Sequence, residues 1–178
     1  SDKEEIKKVV DDVRRDIRRL EKELRDLNER FRKRVEELKK RLEEVNDRAR
    51  REVERLKSRI TDERLRRRLD EVLKRDEDKS DKLRKELDEL LEEVNRRTRT
   101  LEKRLRDLLD EIEKVSRRDL EDVDTLKRRL EDVLRKAREE VEKWKEDLER
   151  LLREAERRVR EYEEDTRRLL KELEDETR

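Results

Sequence analysis

The chain has 178 residues, 65% charged and 28% hydrophobic, and 58 Lys+Arg against 57 Asp+Glu leave a net charge of +1. It contains no Gly, Pro, Cys, Met or His, which excludes a disulfide framework, a thiolate nucleophile, an imidazole base and a Cys/His zinc site. Glycine-rich phosphate loops go with them, and near-neutrality gives no chain-wide attraction to nucleic acid or anionic lipid.

Low hydrophobicity signals disorder only when the net charge is also large. Here the charges cancel, and Leu, Glu, Lys and Arg, from which the chain is mostly drawn, are strong helix formers. Such a composition with helical periodicity reads as long helices or coiled coil. No apolar run approaches the ~20 residues of a membrane span, and no signal-peptide pattern opens the chain.

In the first third, apolar residues stand at Val9, Val13, Ile17, Leu20, Leu24, Leu27, Phe31, Val35, Leu38 and Leu42, continuing through Val45, Ala49, Val53, Leu56 and Ile60. Val9, Leu27 and Val45 stand 18 apart. Five turns in 18 residues is the natural α-helical period, so the stripe stays straight where a heptad would force a left-handed supercoil. The middle third repeats the spacing in Leu65, Leu83 and Leu101. The last third does so in Ala137, Ala155 and Leu173, and in Trp144 and Tyr162.

Capping chemistry places the ends. Ser1 with Glu4 is a capping box, Thr61 an N-cap stapled by Ile60 and Leu65, and Ser116 a box with Asp119, stapled by Val115 and Leu120. Basic residues precede the two interior caps and acids follow, as helix dipoles favour. Helices are therefore expected over about 2–58, 62–115 and 117–177. The fold class expected is all-α: a single-chain, antiparallel up-down-up three-helix bundle, one domain over 1–178.

Residues 72–87, VLKRDEDKSDKLRKEL, carry no apolar side chain between Leu73 and Leu83. The 18-residue spacing nevertheless runs unbroken from Leu65 to Leu83, so the helix continues, with Asp76 and Ser80 at inward positions. Asp76 is expected about level with Asn46, Ser80 with Lys40 and Arg41, and Tyr162 within two turns. Either Asn46, Asp76, Ser80 and Tyr162 form a buried polar layer that penalises misregister, or this face meets water. If the layer serves specificity rather than net energy, Asp76→Leu should raise thermal stability.

Asn28, Asn46, Asn95, Thr98 and Thr166 are candidates for further inter-helix hydrogen bonds or for boundary polarity. Trp144 and Tyr162 read as core fillers. Acidic clusters such as Glu139-Glu140 lack the His of bundle di-metal motifs and the Gly of calcium loops. Runs such as Arg66-Arg67-Arg68 have no interleaved aromatics to stack bases. Solvated, ion-paired helix faces account for both. No catalytic residue, metal or cofactor is therefore expected.

The 18-residue repeat (Val9/Leu27/Val45, Leu65/Leu83/Leu101, Ala137/Ala155/Leu173), the caps and the restricted alphabet together resemble de novo designed, parametrically generated untwisted three-helix bundles. The resemblance covers the whole chain and implies an idealised, very stable scaffold with no natural ligand or activity. Asp76, Ser80 and Thr98 depart from the all-apolar core of that class. The expectation is a monomer of helices ~80–90 Å long, needing no partner, and soluble in the cytoplasm of an expressing host. The alternative is an interaction or self-assembling module, for which the doublets Val72-Leu73, Leu90-Leu91 and Leu108-Leu109 would be the evidence.

Overall fold

The computed structural model describes residues 2–117 and 122–178. They form three helices, α1 (Asp2–Lys57), α2 (Glu63–Ser116) and α3 (Val123–Glu176), with no strand among the described residues. The chain is an all-α three-helix bundle. None of the three helices is long and apolar enough to cross a membrane. By its contacts the chain divides into two compact units, each drawing one segment from every helix. The first comprises Ser1–Phe31 with Glu93–Glu149, the second Arg32–Glu92 with Arg150–Arg178.

In the first unit the repeat buries Val13, Ile17, Leu20, Leu24 and Phe31 of α1 with Val94, Leu105 and Ile112 of α2 and Leu130, Trp144 and Leu148 of α3. At the start of α1 it is Val10 that is buried, while Val9 is half-buried. In the second unit Val53, Leu56, Ile60, Leu69 and Leu173 form one cluster, with Leu65, Val72, Leu73 and Leu170 packed against it. The Val72-Leu73 doublet is thus inside the bundle's own packing. Leu90-Leu91 and Leu108-Leu109 are half-buried.

Ion pairs show the direction of each helix. In the second unit α1 meets α2 through Lys39–Asp88, Glu43–Arg84, Arg50–Glu77 and Lys57–Asp70. One number rises as the other falls, as in an antiparallel pair. Between α1 and α3 the partners Arg34–Glu156 and Arg41–Glu163 are both 122 residues apart, so these helices run parallel. In the first unit Arg14–Glu113 and Asp16–Arg138 repeat the two patterns.

The turns correct two of the expected caps. Thr61 does not cap α2. Asp62 does, its Oδ1 accepting from the Arg64 backbone N–H at 3.0 Å and its carbonyl from Arg66 N–H at 3.1 Å. An ionised acceptor one residue on suits the positive helix end better than a hydroxyl. The Ile60–Leu65 contact survives within the same apolar cluster.

Ser116 begins nothing. It is the last residue of α2, and its hydroxyl donates back to the Glu113 carbonyl at 2.7 Å. Ser58 does the same to Arg55 at the end of α1. A Ser or Thr hydroxyl can satisfy an orphan carbonyl at a helix end as readily as an orphan N–H at a start. Helix α3 starts at Val123, with the Asp122 carbonyl accepting from Leu126. The caps expected at Ser1 and through Asp119 lie outside the described residues.

The first turn is closed by a side chain that capping patterns do not reveal. Arg66 of α2 donates from Nη1 to the carbonyls of Lys57 at 2.7 Å and Ile60 at 3.1 Å. A cation thereby satisfies unpaired carbonyls at the negative end of α1. Among the described residues no backbone φ is positive, so the turn needs no glycine.

Candidate functional site

The 18-residue lattice carries Asp76 and Ser80 onto the inward face of α2, and both are buried at 5% exposure. Tyr162 and Thr166, one turn apart on α3, are buried at 6% and 3%. The Tyr162 hydroxyl donates to Asp76 Oδ2 at 2.9 Å, and the Thr166 hydroxyl to Asp76 Oδ1 at 2.7 Å. All four side chains are thus buried, and the two hydrogen bonds join α2 to α3.

Burial, then the charge of Asp76 and the hydrogen bond to it, push the Tyr162 phenol well above the usual tyrosine value. A phenol so shifted stays protonated and remains a donor. Both Asp76 oxygens accept from hydroxyls, so the buried carboxyl group is satisfied without a cation. These groups are committed to one another. Their arrangement stabilises a geometry and presents neither a free base nor a nucleophile.

Asn46 is not part of the cluster. Its Oδ1 is buried with no hydrogen-bond partner. The same repeat that carries Asn28 onto Asn46 carries Thr98 onto Ser80. In the first unit the Thr98 hydroxyl donates to Asn28 Oδ1 at 3.3 Å. In the second, the equivalent hydroxyl of Ser80 makes no such bond to Asn46.

Thr166 was legible only as a generic hydrogen-bonding residue. The signal for its role is its i+4 spacing from Tyr162 on one helix face. Its depth relative to Asp76 depends on the second turn: α3 starts at Val123 rather than 117, which moves the level of Asp76 about two turns along α3, to between Tyr162 and Thr166.

At the corresponding lattice positions of the first unit stand Val94, Trp144 and Leu148, all buried and all apolar or aromatic. The Arg97 guanidinium lies 4.5 Å from the Trp144 ring centroid and 3.7 Å from Asp147. Trp144 is thus a core residue capped by a cation–π contact, with its Nε1 buried and unpartnered. Among the described residues no group of three or more acidic side chains is placed to hold a metal ion.

Fold and site together define an all-α three-helix bundle with a carboxylate–hydroxyl cluster buried between two of its helices. Comparison with family models, with curated proteins and with solved structures finds no match.

Proposed function

We propose that the chain is a designed structural scaffold, and that Asp76, Tyr162, Thr166 and Ser80 form a buried hydrogen-bond network whose task is to select one helix register. A perfect 18-residue repeat is degenerate: sliding one helix past another by 18 residues again sets stripe against stripe. The observation that carries the reading is where the polar residues fall. The repeat places Asp76, Tyr162 and Thr166 where its other copy has Val94, Trp144 and Leu148. A one-repeat slip of α3 would therefore set the Asp76 carboxylate against Trp144 and Leu148. A buried charge left without donors is strongly disfavoured, while a matched cluster is retained at little net cost. The role is architectural, and the reading assigns no catalytic, cofactor or partner residue.

The chain lacks cysteine, so two introduced cysteines, at the exposed positions Asp78 of α2 and Arg160 of α3, would carry spin labels at unique places. In Asp76→Val/Tyr162→Trp/Thr166→Leu the second unit takes on the residues of the first. The expected result is a second, longer distance population in which the labels' axial offset has grown by ~27 Å, one repeat at 1.5 Å per residue, with no more than about a turn of helix unwound to lengthen the α2–α3 link. A single, unshifted distance in the variant would sink the register reading. Light scattering on the same samples checks the monomer mass that a self-contained scaffold requires.

A further inference from the structure

The α1–α3 ion pairs of the second unit advance by seven residues, from Arg34–Glu156 to Arg41–Glu163. The next rung would join Arg48 to residue 170, and residue 170 is a leucine. At this missing rung a groove of about 420 Å³ opens between the two helices. Half-buried Val45 and Leu170 supply an apolar floor beside Thr166.

Its rim carries an excess of available positive charge. Arg48, Arg167 and Lys171 are exposed along it, and among the described residues no ion pair engages them. The rim acids are largely taken. Arg41 holds Glu163 through two hydrogen bonds at 2.8 and 3.0 Å, and Arg55 reaches both Glu52 and Glu174. Glu44 remains against three cations.

We propose that this groove binds a single-chain amphiphilic anion, its tail over Val45 and Leu170 and its carboxylate among Arg48, Arg167 and Lys171. The volume lies within the ~300–1,000 Å³ usual for small-molecule sites, and guanidinium groups suit a carboxylate. Neither half suffices alone. Exposed cations hold carboxylates weakly in water, and two aliphatic side chains are ordinary surface. Together they join charge to apolar contact in one concavity. This inference stands apart from the scaffold reading, because it uses none of the network's donors to Asp76 except as a wall.

The test is calorimetric titration of the full chain with decanoate below its micelle concentration. One saturable event is expected, weakening as salt screens the head group. Decanol and decylammonium, with the same tail, should each bind roughly tenfold more weakly or worse. Arg48→Gln/Lys171→Gln, at exposed positions, should lose roughly tenfold in affinity with unchanged helicity. Leu170→Glu, which supplies the missing rung opposite Arg48, should abolish binding. No saturable heat with decanoate, equal binding of decanol or decylammonium, or undiminished affinity in the Arg48/Lys171 variant would each overturn the proposal.

Discussion

Tyr162 and Asp76, 86 residues apart in sequence, meet in the core with the phenol donating to the carboxylate at 2.9 Å. The bond links two buried side chains on different helices. Burial of the phenol, then the charge of Asp76 and this bond, set the alkaline response of the protein. Tyr162 is shifted upward from 10.0, so the folded state holds the phenolic proton more tightly than the unfolded chain does. The associated stability is complete below pH 10 and is lost as the pH rises beyond it toward the folded value. Denaturation at a series of pH values above 9 should therefore show a descending limb that is shallower in Tyr162→Phe. Tyrosinate absorbance should appear at higher pH in the folded than in the unfolded protein.

The hydroxyl partners reverse the expected effect of Asp76→Leu. From sequence alone the substitution should raise thermal stability if the layer serves specificity rather than net energy. In the structure it would strand two buried hydroxyls, those of Tyr162 and Thr166. Leaving a buried donor without its acceptor costs about 1–3 kcal/mol, so Asp76→Leu alone should lower the denaturant midpoint. The apolar triple variant Asp76→Val/Tyr162→Phe/Thr166→Val should recover the loss or exceed wild type. Urea unfolding of the three proteins decides between a cluster that adds net stability and one that mainly selects geometry.

Asn28 and Asn46 occupy equivalent lattice positions and should respond oppositely. Asn28 accepts from Thr98, whereas the buried Oδ1 of Asn46 has no partner. Asn28→Leu should destabilise by about 1 kcal/mol, the worth of a typical hydrogen bond. Asn46→Leu should stabilise by about the same amount as an unsatisfied polar atom is removed. Chemical denaturation of the two single variants measures both signs.

The first turn offers a test of which residue caps. Asp62→Ala should cost about 0.5–2 kcal/mol as an N-cap loss, while Thr61→Ala should stay within ~0.5 kcal/mol as a surface change. Arg66→Ala frees the carbonyls of Lys57 and Ile60 and should cost about 1 kcal/mol. Hydrogen exchange at the amides of residues 63–66 should rise in Asp62→Ala before it does elsewhere in α2.

Much of this protein was determined locally and is legible in the sequence. Periodicity makes three helices because each residue's face depends only on its neighbours within a turn or two, and a gap such as residues 74–82 cannot break a lattice that resumes in phase at Leu83. The burial of Asp76, Ser80 and Tyr162 follows from the same arithmetic. Tertiary structure alone decided the depth at which the helices meet. The Ser116 hydroxyl can serve a helix end or a helix start, and only the packed chain shows it serving an end, which delays α3 to Val123 and brings Thr166 to Asp76. Side chains lean toward the N-terminus of their own helix, so antiparallel partners such as Arg50 and Glu77 meet across a stagger that a simple folding-over of the chain does not give. The isolation of Asn46 was likewise invisible in one dimension. Ser80 and Asn46 repeat the lattice positions of Thr98 and Asn28, yet only the first unit's pair closes a hydrogen bond, because such a bond forms only where three-dimensional distance and angle permit it.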